Sequence, residues 1–511
     1  MEPDAERAVG DRPPFTMDSE HMAKYIATLS PDEQEALVVK LARNEARARL
    51  QRLMREAESR NQLNDSQTST SGVYYDRACA LLIELVGSAV ANRTLVRLVS
   101  RDAQSIIEFL DQVLVTDTIT NLDDRARTHL ILSEIEMLAE THPTSYNISQ
   151  VTFEGLHKQE ASSLIYSGSY RGCRIQIKEF QLYSAGRGES MKRLIRELSS
   201  WPHLRHRNIL PFYGVVDSAL DDRASRKLGL VSPWVETNLT EYLAASPSAP
   251  RDLLVSDIAS GLEYLHDMRL VHGDLRGSNI LVVKTEVPVA VITNFDFCSP
   301  VEGSLTVPEV TLDTDAVHWM APELVGSDTR QRRRTQPSDV WSLGCVCYEV
   351  IYSTSIFTER ISSALQIFTG RVPFYQCTSI QELILTLQLA KYGTVSPLRP
   401  LEGQGSRALP PVKDETWSTM ESCWEREPSK RSDSKTLARF FASKRANFEQ
   451  SSTGDPFSSH EMAGSALRVL EIARSNPGVD YRHIYQLLRQ AQVQLQTVEP
   501  LSTVPKAQVP I

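Results

Sequence analysis

Cysteine is scarce in this chain. Seven occur in 511 residues: Cys79, Cys173, Cys298, Cys345, Cys347, Cys377 and Cys423. Their number is odd and none forms a CxxC pair with zinc spacing, which excludes a disulfide framework and a zinc-ribbon site and fits a reducing compartment. Long apolar runs are also missing. The longest, Ala78 to Ala91, is 14 residues and contains Glu84; spanning a bilayer takes about 20. There is no basic excess. Lys and Arg number 55 against 64 Asp and Glu, a net charge of −9, so the bulk attraction that drives non-specific nucleic-acid binding is lacking. The opening MEPDAERAVG is acidic and polar, unlike a secretory leader, Glu2 excludes N-myristoylation, and the C-terminus carries no prenylation signal. No solenoid repeat is present. These absences lead to the expectation of a soluble, cytoplasmic protein with no membrane span and no nucleic-acid partner.

What is present is globular. Hydrophobic residues make up 41% and charged residues 23%, near ordinary averages, and the length allows two to four domains at roughly 100–200 residues each. Residues 1–72 read as a leader and a helix. Ser30, Pro31 and Glu33 form an N-terminal capping signature, and the polar stretch 61–72 reads as a linker. Residues 73–145 read as a helical module, with helical patterns near 75–97, 103–116 and 124–141. In the second of these, Ile106, Ile107, Leu110, Val113 and Leu114 make one apolar face. From about 150 short β-like runs appear (LIYSGSY, RIQIKEF, GLVSPWV), and helical patterns dominate from 250 to 445. A polar break at 449–459 precedes a tail, 448–511, with helical patterns at 460–475 and 481–496.

The chemistry is concentrated in VHGDLRGSNILV, residues 271–282. Downstream stand HWMAPELV (318–325), PSDVWSLGCVCYEV (337–350) and CWEREPSKR (423–431); upstream stand RIQIK (174–178), the helical MKRLIRELSSW, RHRNILPFYGV (205–215) and LVSPWVETNLTEYL (230–243). In that order and at that spacing the segments resemble those of the protein kinase superfamily. In detail they resemble its tyrosine-kinase-like, serine/threonine-type branch, abundant in fungi. The resemblance implies an α+β, bilobal kinase-like fold over 150–447, with a helical N-terminal module and a helical C-terminal tail.

It also implies roles. Asp274 would orient the substrate hydroxyl and accept its proton, and Asn279 would hold magnesium. Lys178 would grip the α/β-phosphates of ATP, with Glu197 as its ion-pair partner. Pro233, Trp234 and Val235 would form the hinge. His272, Phe295, Glu323, Asp339 and Arg431 would be structural, with Asp339 anchoring the catalytic-loop backbone and Arg431 pairing with Glu323.

Three departures bear on activity. Lys158, Glu160 and Ser163 stand where the three glycines of the phosphate-covering loop belong; glycines there would let the backbone approach the phosphates. The magnesium-binding DFG reads Asn294-Phe295-Asp296, and a neutral amide is a poor substitute for a carboxylate on magnesium; a rival register, Asp296-Phe297-Cys298, has Asn294 where an apolar residue is normal. Gly273 replaces the arginine that normally reads an activation-loop phosphate, for example on Thr311 or Thr314. A further segment, 351–366, has no counterpart in the family and reads as an insertion. The basic run Arg330, Arg332, Arg333, Arg334 reads as a solvated loop, and Cys345 and Cys347 as helix core. Two functions follow: a pseudokinase acting through its ATP cleft and protein partners, or an active ATP- and magnesium-dependent kinase of protein substrates.

Overall fold

A computed structural model describes residues 70–87, 102–116, 118–159, 163–180, 187–217, 228–301, 314–325, 332–352, 373–374, 376–377, 379–389, 396–399, 412–445, 456–457 and 479–498. The chain divides into two compact units, Met1–Glu84 and Leu85–Ile511. Helix α1, Thr70–Val86, carries the described residues of the first. The capped helix expected at Ser30 and the tail helix expected at 460–475 lie outside the described residues.

The second unit opens with an antiparallel helix pair, α2 (Ala103–Val115) and α3 (Leu122–Ala139). Asn121 starts α3 two residues ahead of the expected position, because its side chain accepts the backbone N–H groups of Asp123 at 2.9 Å and Asp124 at 3.0 Å. The apolar face expected on α2 is buried. So are Glu108, Asp111 and Gln112 on the same helix, a sign that more than one element packs against it.

A five-stranded antiparallel sheet follows: β1 (Val151–Gln159), β2 (Ser163–Tyr170), β3 (Cys173–Phe180), then, after helix α4 (Arg187–Ser200), β4 (Gly214–Asp217) and β5 (Leu228–Pro233), in the order β1-β2-β3-β5-β4. The β2–β3 hairpin turns through Arg171 at φ 52° and Gly172 at φ 84°, the left-handed pair that matches strand twist. In β3 the alternation of side chains decides the geometry. Ile175 and Ile177 are fully buried on one face with Tyr170, Tyr213 and Val231, while Gln176 and Lys178 face the cleft.

The larger lobe is mostly helical. It comprises α5 (Leu239–Ala245), α6 (Arg251–Asp267), the short strands β6 (Leu270–Val271), β7 (Ile280–Val283), β8 (Val289–Ile292) and β9 (Ser299–Pro300), then α7 (Pro322–Val325), α8 (Gln336–Tyr352), α9 (Ile380–Leu389), α10 (Asp414–Cys423) and α11 (Ser434–Arg445). β6 pairs with β9 and β7 with β8. Helix α8 is apolar on nearly every side, so it forms the centre of the lobe; Cys345 and Cys347 are core residues there. Helix α8 runs through Tyr352, which is buried with its ring 4.8 Å from that of Tyr348; residues 353–366 lie outside the described residues.

The last helix, α12 (Tyr481–Val498), returns to the beginning of the unit. The Tyr481 hydroxyl donates to Gln112 Oε1 at 2.6 Å, and its ring meets Phe109 edge-on at 6.5 Å. Among the described residues no helix is long and apolar enough to cross a membrane.

Candidate functional site

Between the lobes lies a cleft lined by, among others, Lys158, Gln176, Lys178, Glu197, Asn279 and Asn294. Lys178 enters it from β3 and Glu197 from α4. Their Nζ–Oε1 distance is 2.5 Å, and the side chains are only 12% and 1% exposed. This is therefore a buried ion pair, for which removing one partner is costly. Helix α4 is held by the buried Leu194, Ile195 and Leu198 on either side of Glu197 in the chain.

The catalytic-loop segment is tied down by Asp339 at the start of α8. Its carboxylate accepts the backbone N–H of His272 at 2.8 Å and of Gly273 at 2.9 Å, and His266 Nε2 lies 3.1 Å away. His272 meets Thr293 O at 3.1 Å, and its Nδ1 accepts the Asp274 N–H at 3.2 Å. Asn279 Nδ2 donates to both the backbone and a side-chain oxygen of Asp274, each at 2.7 Å. Burial pushes the Asp274 carboxyl up from its ordinary value; the Arg276 guanidinium at 3.3 Å opposes this, and Asp296 adds to it.

Asn294, not Asp296, enters the cleft. Its Oδ1 accepts from Lys178 Nζ at 2.6 Å, and its Nδ2 donates to Asn279 Oδ1 at 3.2 Å. Asn294 sits at φ 69°, a left-handed conformation that Asn tolerates better than most residues. Phe295 is fully buried between Trp201 at 5.8 Å and His272 at 5.7 Å. Asp296 is buried beside the cleft. A continuous polar chain thus runs Glu197–Lys178–Asn294–Asn279–Asp274.

At the hinge, Val235 lines the cleft. Pro233 closes β5 opposite Ile175, and Trp234 turns aside to pack under the Arg174 guanidinium at 4.3 Å and against His157 at 4.8 Å. Lys158 lines the cleft from β1, Ser163 opens β2, and Glu160 lies outside the described residues. Far below, Arg431 grips Glu323 with two hydrogen bonds of 2.7 and 2.8 Å, donates to Pro337 O at 2.8 Å, and lies over Trp341 at 5.2 Å.

Sequence reading missed three residues here. Gln176 occupies the cleft floor, paired across the strands with Ser232; the period-2 pattern of β3 could have placed it there. Glu349 is buried in α8, where it accepts from Thr240 Oγ1 at 2.6 Å and Trp319 Nε1 at 3.2 Å. A Cβ on Gly277 would come within 2.2 Å of it, so the catalytic loop needs glycine at that point. The third is Arg334, and here the expectation of a solvated basic run needs correction. Arg334 Nε donates to Gly273 O at 2.8 Å, and its guanidinium stacks 4.2 Å from the Phe297 ring. Gly273 is at φ 82°, and a Cβ there would lie 2.7 Å from Arg334 Cδ. The arginine absent at 273 is replaced in space by one from outside the loop. Arg333 stays exposed.

A family model described as the protein kinase domain matches residues 162–440. The chain belongs to the protein kinase family. A probable cell division protein kinase of Encephalitozoon cuniculi is 31% identical over 163 residues, 32% of this chain and 57% of its own length. The mitogen-activated protein kinase kinase kinase YODA of Arabidopsis thaliana is 28% identical over 302 residues, 57% of this chain and 29% of its own. A serine/threonine-protein kinase of Saccharomyces cerevisiae is 28% identical over 191 residues, 35% of this chain and 21% of its own. The chain spans little more than half of the first relative's length and less of the others.

Protein kinases in general use ATP with magnesium. In the cleft, Lys178 supplies a cation for the phosphates of a nucleotide. The donor set does not fit magnesium. Asn279 Oδ1 and Asn294 Oδ1 are neutral, and each already accepts a hydrogen bond from the protein. Magnesium demands oxygen ligands in near-ideal octahedral geometry, usually with one or two carboxylates. Among the described residues no group of three or more His, Cys, Asp or Glu is arranged to hold a metal.

Proposed function

We propose that this kinase domain is catalytically impaired, a pseudokinase of signalling that works through the conformation of its nucleotide cleft and through protein partners in the cytoplasm. One observation carries the reading. Asn294 uses its oxygen on Lys178 and its NH₂ on Asn279, so the groups that would face a metal and phosphates are satisfied by one another. Lys178 and Glu197 keep the cleft in an ordered arrangement, and Asp274 and Asn279 maintain the loop. The kinase domain, 150–447, would then act as a nucleotide-sensing body between its helical module, 73–145, and its tail, 448–511.

A second reading, an active serine/threonine kinase transferring the γ-phosphate of ATP to protein hydroxyls, is favoured by the raised proton affinity of buried Asp274. A carboxylate so shifted is a better acceptor for a substrate hydroxyl proton near neutral pH. Phosphate transfer to a generic protein substrate separates the two. Parent protein is expected to give none above background, and Asn294→Asp, which restores a carboxylate facing the cleft, to give magnesium-dependent transfer. Transfer by the parent at the roughly 1–100 s⁻¹ of working kinases would overturn the proposal.

A further inference from the structure

Helix α3 meets helix α4, and α2 the turn Trp201–His203 that follows α4, through polar side chains, an unusual choice for a buried contact. Asp111, His129, Glu136, Tyr146, Ser199 and His203 are each 4% exposed or less. Ser199 Oγ lies within hydrogen-bond reach of Glu136 on α3 and of Ile195 O, its one proton serving either. Ser199 O faces His129 Nδ1 of α3 at 3.3 Å and His203 Nδ1 at 3.2 Å. His203 Nε2 lies 2.8 Å from Asp111 Oδ1 on α2, and Tyr146 OH donates to the same oxygen at 2.5 Å. The rings of His129 and His203 meet edge-on at 4.8 Å. The elements joined here are the helical module and the C-terminal end of α4.

Apolar packing alone would let α4 slide or rotate by a fraction of a turn at small cost. A buried polar network does not, because every displacement leaves a desolvated donor or acceptor unpaired. Ser199 follows Glu197 by two residues, about 3 Å along the helix axis. The network therefore fixes the same turn of helix that carries Glu197 to Lys178 at 2.5 Å.

We infer that the helical module is a built-in positioning element for Glu197, with Glu136, His129 and Asp111 setting the register of α4 and hence the Lys178–Glu197 pair. The module does from within the chain what a bound partner or ligand would otherwise have to do. This goes beyond the question of phosphate transfer and holds under either reading of the cleft, so its test does not use activity.

The full chain with Ser199→Ala and Glu136→Leu together keeps the contact apolar and leaves neither partner stranded. Two readouts apply: amide hydrogen exchange over residues 190–200, and the rate at which an amine-reactive ester labels Lys178, followed by mass spectrometry. Both are expected to rise severalfold, because an apolar contact no longer fixes the register of α4, with exchange in α8 and α11 unchanged. Glu136→Gln, which keeps an acceptor for Ser199, is expected to retain parental protection at both. Should the double variant fail to fold, Asp111→Asn is read by the same two measurements. Unchanged Lys178 labelling in a folded variant would overturn the inference. So would a rise spread evenly over the whole kinase domain, or a Glu136→Gln variant as exposed as the double variant.

Discussion

At Asn294 the difference between a carboxylate and an amide is one oxygen exchanged for NH₂, and that exchange lets the cleft close on itself. The amide both accepts from Lys178 and donates to Asn279; a carboxylate can do only the first. The substitution itself was plain in the sequence. Its consequence was not, because the pairing depends on Lys178 and Asn279 arriving from β3 and the catalytic loop, 116 and 15 residues away. A second residue-scale effect concerns protons. His129 is held well below its ordinary value by burial, with His203 and Arg125 adding to the shift. The folded chain thus refuses a proton that the unfolded chain accepts. Its contribution to stability is complete above pH 6.5, the ordinary histidine value, and is lost as pH falls below it. Urea midpoints stepped from pH 7.5 to 5.0 test this. The parent is expected to lose up to about 1.4 kcal/mol per pH unit more than His129→Gln, and parallel profiles would contradict it.

At the scale of elements, local pattern was a good guide wherever one element decides its own exposure. The apolar positions expected on α2 are buried, and Lys178, expected in the cleft from the family resemblance, lies on the cleft face of β3. Boundaries moved where a cap decided them, as at Asn121. The basic run was misjudged at Arg334 because the space it fills is created by Gly273, 61 residues earlier. The lower lobe is fastened by a contact that ordinary sequence periodicity does not show and only the family resemblance suggested, Arg431 with Glu323. Its guanidinium is 1% exposed and bidentate. Arg431→Ala leaves the partly buried Glu323 carboxylate and the Pro337 and Glu425 carbonyls unserved, and is expected to cost about 3 kcal/mol in chemical denaturation. Arg431→Lys, without the planar fork, is expected to recover only part of that loss. A cost below about 1 kcal/mol, the range of surface pairs, would show the contact to be incidental.

Across the molecule, the flanks proved to be more than appendages. Helix α2 receives α12 from the far end of the chain, through Tyr481 and Gln112, and α3 reaches the polar end of α4. The sequence marked these helices by amphipathicity alone. Which faces meet could not be read from it, since the contacts bridge up to 369 residues and are made by polar side chains that look like surface residues in isolation. The same long-range closure places the cleft between a module that sets α4 and a lobe fastened by Arg431. The central claim is that this cleft has exchanged its metal site for an internal amide chain. A ligand at 100 times its Kd stabilises a protein by about 2.7 kcal/mol, enough to read as a thermal shift. The most direct measurement is therefore melting of the full chain over an ATP titration, with magnesium and with a chelator. The expected result is one shift, the same in both series; a shift that appears only when magnesium is present would contradict the claim.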